Sequence, residues 1–113
     1  MTINEYFKTY YKIISTGNLD ELNDYFHTNS PFLGGIKQQY EAIRKQLDFN
    51  ITLESIELVS KLDDLLVIRD RILFEGQKGD EVKRNFSGNL HVMIKENDSW
   101  KLQSTTCLSV EQA

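Results

Sequence analysis

The sequence has very few of the residues that hold small folds together through disulfides or metals. Cys107 is the only cysteine, so no disulfide can form within the chain. His27 and His91 are the only histidines, and no H-x-H or H-E-x-x-H spacing is present, so no zinc ligand set is recognisable. We therefore expect no metal and no other cofactor.

Long apolar runs and an excess of basic charge are also missing. The longest apolar run, residues 65–68, is far shorter than the ~18 residues that a membrane span needs. Thirteen basic against 17 acidic residues give a net charge of −4, which argues against nucleic-acid and anionic-membrane partners. The first residues carry neither the basic region nor the apolar core of a signal peptide, so we expect a cytoplasmic location.

The rest of the composition is typical of one globular domain. The chain has 113 residues, of which 40% are hydrophobic and 27% charged. Domains commonly have ~100–150 residues, and a chain of this length can bury a core without cross-links. We expect a single domain that spans residues 1–113.

The first half of the sequence has helical periodicity. Thr2 and Glu5 form a capping box, which predicts that a helix begins there. Apolar residues follow at intervals of three or four: Ile3, Phe7, Tyr10 and Ile14. We expect Gly17 to end this helix in the left-handed conformation that glycine adopts without strain. Asn18 caps a short second helix, and a third helix is predicted for residues 36–47.

The second half alternates with a period of two, which predicts strands. The predicted segments are 51–58, with a bulge near Ser55, then 66–74, 86–94 and 100–108. Residues 76–80 and 97–99 have turn composition. Helices followed by strands in hairpins indicate an α+β fold with an antiparallel sheet.

The alternation predicts which side chains face the core. Asp70 shares a face with Leu66, Ile68, Ile72 and Phe74. On the last two strands we assign these residues to the inner face: Phe86, Gly88, Leu90, Val92, Ile94, Trp100, Leu102, Ser104, Thr106 and Leu108. We assign these residues to the outer face: Leu73, His91, Met93 and Cys107.

Five segments carry a resemblance to a known superfamily. They are the tyrosine-rich first helix and residues 17–22, 27–32, 63–67 and 97–102. In their order and spacing they resemble the nuclear transport factor 2-like superfamily, with its SnoaL-like and ketosteroid-isomerase branches. The resemblance implies a cystatin-like cone, in which three N-terminal helices pack on the concave face of a curved, four-stranded, mainly antiparallel sheet. It also implies a pocket between helices and sheet, and a homodimer formed through the outer sheet face.

Asp70 is the first candidate for chemistry, because a carboxylate on an apolar face is costly unless it is paired or protonated. It is a candidate general base, unless strand twist exposes it or Lys83 or Arg84 pairs with it. In the ketosteroid-isomerase branch a first-helix tyrosine and sheet carboxylates form the active site. The resemblance therefore implies Tyr10 as a hydrogen-bond donor beside Asp70.

The candidate ligand-binding residues are aromatic, apolar or small residues assigned to the pocket wall. They are Tyr6, Phe7, Tyr40, Phe86, Leu90, Trp100, Ser104 and Thr106. The expected ligand is a small hydrophobic or carbonyl-bearing molecule.

Three functions remain open. The chain could bind a small molecule in a hydrophobic pocket without catalysis. It could instead be an enzyme of the isomerase, cyclase or dehydratase type, with Asp70 as base and Tyr10 as donor. It could also be a homodimeric protein-interaction module with a filled cone, using the outer-face residues named above.

Overall fold

The computed structural model describes all residues from 1 to 113, and its architecture is α+β. The helices are α1 (Ile3–Thr16), a 3₁₀ helix (Leu19–Asp24) and α2 (Leu33–Gln46), and the strands are β1 (Asp48–Lys61), β2 (Leu65–Lys78), β3 (Glu81–Glu96) and β4 (Ser99–Gln112). The strands pair in chain order into one curved antiparallel sheet. This confirms the predicted α+β class with three helices and four antiparallel strands. None of the helices combines the length and the apolar character needed to cross a membrane.

Helix α1 begins and ends where the sequence predicts. The Thr2 hydroxyl accepts a hydrogen bond from the Glu5 amide at 3.1 Å, which confirms the predicted N-cap, but it donates to the Glu5 carboxylate at 3.2 Å, so the reciprocal bond of a capping box, from the Thr2 amide to that carboxylate, is not made. Gly17 ends the helix, but its φ of −88° is not left-handed, so the predicted reason is wrong. Glycine is required there because a Cβ would lie 2.8 Å from the Ile13 Cα.

Arg44 of α2 stabilises the C-terminal end of α1, which has no basic residue of its own in the last turn. Its Nε and Nη2 atoms donate to the Ile14 carbonyl at 3.1 and 2.7 Å, and Nη1 donates to Gly17 at 2.8 Å. Nη2 also donates to the Ile13 carbonyl. The guanidinium thus binds carbonyl groups at the C-terminal end of α1 and fixes α2 against α1.

The other two helices differ from the prediction in detail. Asn18 caps the second helix, with its side chain accepting from the Asp20 amide at 3.0 Å, but the six-residue segment is a 3₁₀ helix. Helix α2 begins at Leu33, three residues before the predicted start, and includes Gly34 and Gly35. No residue of α2 is fully buried, so this helix covers the inner side of the sheet without joining the core.

The turns between strands are tight and set the register. Gly79, with φ of +59°, and Asp80 form a two-residue turn, so the loop predicted for residues 76–80 is shorter than expected. Asn97 and Asp98, both with positive φ, connect β3 to β4 in the same way. In β1 a bulge lies between Leu53 and Ser55, as predicted, and a second follows near Val59.

The inner face of the sheet, defined as the face that packs against α1, is correctly predicted for β2 and wrongly for β3. Asp70 is opposite Asn89 in the register, and Ile68 is opposite His91. Directly opposite residues share a face, so Asn89 and His91 lie on the inner face. Phe86, Leu90 and the other predicted inner residues of β3 therefore lie on the outer face.

A bulge reverses the faces of β4 along its length. Trp100 and Leu102 lie on the inner face, because Leu102 is opposite Met93. Val92 then pairs with Ser104, so Gln103 is an extra residue and the alternation shifts by one. Ser104 and Thr106 consequently lie on the outer face, and their predicted inner position is wrong.

The core lies between α1 and the inner face. Its fully enclosed members include Phe7, Ile14, Ile68, Met93 and Leu102. Met93 therefore belongs to the core and not to the outer surface as predicted.

Candidate functional site

Asp70 is the centre of a buried polar cluster on the inner face, with 3% of its surface exposed. Its Oδ2 accepts hydrogen bonds from the Tyr11 hydroxyl at 2.5 Å and from His91 Nε2 at 2.7 Å. Its Oδ1 accepts from the Asn89 side-chain amide at 2.9 Å. Three donors from α1 and β3 therefore converge on a carboxylate of β2, and neither Lys83 nor Arg84 pairs with it.

The hydrogen-bond roles assign the protonation of this cluster. Both Asp70 oxygens act as acceptors, which is the behaviour of an ionised carboxylate. His91 is completely buried, and its Nδ1 has no hydrogen-bond partner. A bare Nδ1 also lacks a partner, but an unpaired N–H on a charged ring would cost more, so we assign the neutral tautomer with the proton on Nε2, which donates to Asp70. The cluster thus carries the single negative charge of Asp70.

A cavity of about 290 Å³ lies between α1, α2 and the inner face. This volume lies just below the ~300–1,000 Å³ range of small-molecule sites. Apolar and aromatic side chains form most of its wall: Tyr10, Tyr11, Ile36, Tyr40, Ile43, Ile51, Ile72, Phe74, Cys107 and Val110. Six polar side chains complete it: Gln39, Lys83, Asn85, Ser87, Asn89 and Thr105.

Three polar atoms at the inner end of the cavity, which we define by Tyr10, Tyr11, Tyr40 and Asn89, have no partner in the chain. They are the Tyr10 hydroxyl, the Tyr40 hydroxyl and Asn89 Oδ1. Among the side-chain atoms without a hydrogen-bond partner, only His91 Nδ1 and Gln103 Oε1 are fully enclosed by the protein. The three atoms named above are not fully enclosed, so each has some accessible surface, and all three residues line the cavity.

The tyrosines of the inner end remain protonated at neutral pH. Burial raises the pKa of Tyr10 and of Tyr11 well above 10, and the negative charge of Asp70 adds to both shifts. Burial, followed by the nearby Cys107 and Asp70, also raises the pKa of Tyr40. All three side chains are thus neutral phenols.

Of the ten side chains predicted for the site, two line the cavity and one lies directly behind it. Tyr10 and Tyr40 line it, and Asp70 contacts its wall through Tyr11 and Asn89. The remaining seven lie elsewhere: Tyr6, whose hydroxyl donates to the Tyr25 carbonyl, Phe7, Phe86, Leu90, Trp100, Ser104 and Thr106.

Phe7 and Trp100 are on the inner side but away from the cavity. The Phe7 ring packs against the His91 ring at 4.5 Å between centroids, so it supports the Asp70 cluster. Trp100 is half-buried, and the Lys95 ammonium lies 5.2 Å from the centroid of its ring.

The sequence prediction missed Tyr11 and the polar row of β3, which includes Asn89 and His91. The register could have revealed them. A two-residue turn at Gly79 and Asp80 places residue 70 opposite residue 89, and hence Asn89 beside Asp70. Thr105 and Cys107 were missed because the bulge at Gln103 shifts their face.

The arrangement favours binding over acid–base chemistry. Both Asp70 oxygens are occupied by donors and lie behind the wall, so neither reaches into the cavity. The tyrosine next to Asp70 is Tyr11, and the Tyr10 hydroxyl makes no hydrogen bond to the carboxylate. No group of three His, Cys, Asp or Glu side chains is arranged to hold a metal ion.

Comparison with known proteins identifies a family and a fold. Residues 5–113 match the family model for the C-terminal domain of the anti-sigma-I factor RsgI9. No curated protein matches the chain.

Several solved structures share the fold at low identity. The beta subunit of benzoate 1,2-dioxygenase from Burkholderia mallei has 12% identity and a TM-score of 0.76, over 93% of this chain and 86% of that one. A protein assigned as a scytalone dehydratase from Novosphingobium aromaticivorans has 15% identity and a TM-score of 0.74, over 98% and 88%. The intermembrane space region of the chloroplast protein ARC6 has 12% identity and a TM-score of 0.67, over 93% and 92%. These likenesses support the nuclear transport factor 2-like fold inferred from the sequence.

Replacing Tyr11 by Phe removes one donor from a buried carboxylate. We expect a loss of ~1.5–3 kcal/mol in the free energy of unfolding, measured by denaturant titration. Tyr10→Phe is the matched control, because its hydroxyl has no partner in the chain; it should change stability by less than about 0.5 kcal/mol. Equal losses in the two variants would contradict the assigned contacts.

The raised tyrosine pKa values predict sensitivity to alkali. Unfolded tyrosines ionise near pH 10, whereas buried Tyr10 and Tyr11 stay protonated in the fold to higher pH. The unfolded state then binds fewer protons, so stability is complete below pH ~10 and falls above it by ~1.4 kcal/mol per pH unit for each such group. Tyrosinate absorbance should therefore rise together with unfolding; full ionisation in a folded chain would refute this.

Proposed function

The chain belongs to the family of the anti-sigma-I factor RsgI9 C-terminal domain, and we propose that it is a small-molecule-binding domain with its ligand in the cavity between the helices and the sheet. The observation that carries this proposal is the Tyr10 hydroxyl. The residue is 98% buried, lines the cavity, and leaves its hydroxyl without a partner in the chain. Because this hydroxyl opens onto the cavity, a ligand bound there would supply the hydrogen bond that the chain does not.

The wall of the cavity has the mixture of groups that ligand sites use. Ten of its 16 residues are hydrophobic, and the few polar atoms converge at the inner end. An apolar molecular body would contact Ile43, Ile51 and Ile72, while its polar group would meet the Tyr10 and Tyr40 hydroxyls and Asn89. A small hydrophobic or carbonyl-bearing molecule of the kind expected from the sequence has this general form.

Catalysis by Asp70 is the less supported alternative. A general base must come within hydrogen-bond reach of the proton that it removes. Asp70 is separated from the cavity by Tyr11 and Asn89, and its donors would have to leave before it could act.

The family adds a regulatory setting to the binding proposal. An anti-sigma factor controls a sigma factor, and a ligand-binding domain gives such a protein a chemical input. We propose that occupancy of the cavity is that input.

Thr105 and Thr106 provide a matched test, because they are adjacent on β4 but face opposite sides of the sheet. The probe is N-phenyl-1-naphthylamine, a neutral apolar dye that fluoresces in apolar surroundings. We expect saturable fluorescence with the wild-type chain and with Thr106→Trp. Thr105→Trp fills the cavity and should weaken binding by about tenfold or more, which corresponds to ~1.4 kcal/mol.

Two outcomes would overturn the binding proposal. One is the absence of saturable dye binding to the folded wild-type chain. The other is equal binding by both tryptophan variants, which would place the dye outside the cavity.

A homodimer formed through the outer face is the second candidate, and one observation favours it. No helix covers the outer face, where β2 and β3 expose a half-buried apolar patch of Leu65, Val67, Leu90, Val92 and Ile94. The arginines beside this patch are already paired: Arg69 with Glu57 at 2.6 Å and Arg71 with Glu111 at 3.9 Å. Two copies could therefore meet face to face without unpaired like charges.

The proposed dimer differs from the predicted one in its residues. Of the residues expected at the interface, only Leu73 lies on the outer face, because His91, Met93 and Cys107 have inner-face positions.

Val92→Glu places a charge at the centre of this patch. We expect light scattering to report a dimer for the wild-type chain and a monomer for this variant, since burying an unpaired charge is unfavourable. Gln38→Glu, on the exposed side of α2, is the control and should remain dimeric. A wild-type monomer at micromolar concentration would contradict the proposal.

A further inference from the structure

We propose that the inner end of the cavity selects ligands by charge: it binds the protonated amino group of a small organic amine and rejects carboxylates. The inference rests on the proposed ligand-binding function and adds the chemistry of the head group. It goes beyond the carbonyl-bearing ligand expected from the sequence. The arrangement of Asp70 behind Tyr11 and Asn89 carries it.

The first step concerns the atoms that face the ligand. The Tyr11 hydroxyl hydrogen points to Asp70 Oδ2, and His91 Nε2 lies 3.3 Å from the same hydroxyl oxygen, so the side chain has one oxygen lone pair left to offer a ligand. The Asn89 amide nitrogen donates to Asp70 Oδ1, which leaves the unpartnered Asn89 Oδ1 open to the cavity. Asp70 thus orients two wall groups so that they present hydrogen-bond acceptors. The Tyr10 and Tyr40 hydroxyls can accept as well as donate.

The second step concerns the charge behind these acceptors. Asp70 is ionised in the assigned hydrogen-bond pattern, and the neutral His91 tautomer does not offset its charge. Lys83 is the only charged residue that lines the cavity. It lies six residues from Asn89 along β3, about 20 Å away at ~3.4 Å per residue, so it does not neutralise the inner end.

The third step concerns the rings around the head group. Three tyrosine rings line the inner end, and aromatic faces attract organic cations. An ammonium has three donors and no acceptor, which fits the acceptors supplied by Tyr11, Asn89 and one further phenol. A carboxylate would instead face the Asn89 oxygen and the Asp70 charge.

The test compares three probes of nearly equal shape: benzylamine, benzyl alcohol and benzoate. Titration calorimetry or chemical-shift titration of the wild-type chain should give the tightest binding for benzylamine and the weakest for benzoate. At an effective dielectric constant near 20, a charge within a few ångströms of the site predicts at least about a tenfold difference between those two. Benzoate or benzyl alcohol binding as tightly as benzylamine would overturn the inference.

The Asp70→Asn variant tests the cause of the preference, because it keeps the shape and removes the charge. The ratio of benzylamine to benzoate affinity should fall by about tenfold or more. Asp64→Asn removes an exposed charge from the loop before β2 and should leave the ratio unchanged. An unchanged ratio in Asp70→Asn would show that Asp70 does not set the selectivity. If Asp70→Asn does not fold, the wild-type ranking decides alone.

The probes also separate this inference from the proposed function. If phenylnaphthylamine binds in the cavity but benzylamine has no advantage over benzoate, only the charge selectivity fails. If neither the dye nor any of the three probes binds, both proposals fail.

Discussion

The hydrogen bonds to the buried Asp70 carboxylate are the interaction on which the rest of the structure depends. They join α1 to the two central strands, since the donors come from Tyr11, Asn89 and His91. A charge in the interior is tolerated only when such donors replace its lost hydration. The cluster therefore fixes the position of α1 over the sheet and, with it, the inner end of the cavity.

The cavity exists because the inner row of β3 is polar where a filled core would be apolar. Toward the far end of the strand Met93 packs in the core, whereas Asn85, Ser87 and Asn89 line open space. Helix α2 covers this space without burying any residue completely, and Arg44 holds it against the end of α1. A covering helix that contributes little to the core leaves room for a ligand beneath it, at little cost to the fold.

The helices, the strands and the fold class follow from local physics that the sequence displays. The N-cap at Thr2 and the phase change near Ser55 are short-range signals, and both predict features of the structure. The faces of β3 could not be read in the same way, because its more apolar row, with Leu90 and Val92, faces outward. The more hydrophobic row of side chains on a strand identifies the core face only when the polar row lies on the outer face. In β3 the polar row lies on the inner face and lines the cavity.

The remaining errors have local structural causes. The bulge at Gln103 has no clear sequence signature, yet it exchanges the faces of residues 104–107, until a second bulge at Leu108 restores the original alternation. Tyr10 and Tyr11 are both buried, because α1 lies deep enough for two adjacent phenols to contact the core. Which of them meets Asp70 depends on how α1 packs on the sheet, and the structure shows that it is Tyr11.

The central claim is that a single ionised carboxylate, Asp70, orients neutral partners at the wall of the cavity. Long-range ¹H–¹⁵N NMR spectra of the His91 imidazole test it most directly. The account predicts a neutral ring at neutral pH, with the proton on Nε2 and a bare Nδ1. A proton on Nδ1 alone, or a doubly protonated ring, would contradict it, because the cluster would then lack the donor or the net charge assigned to it.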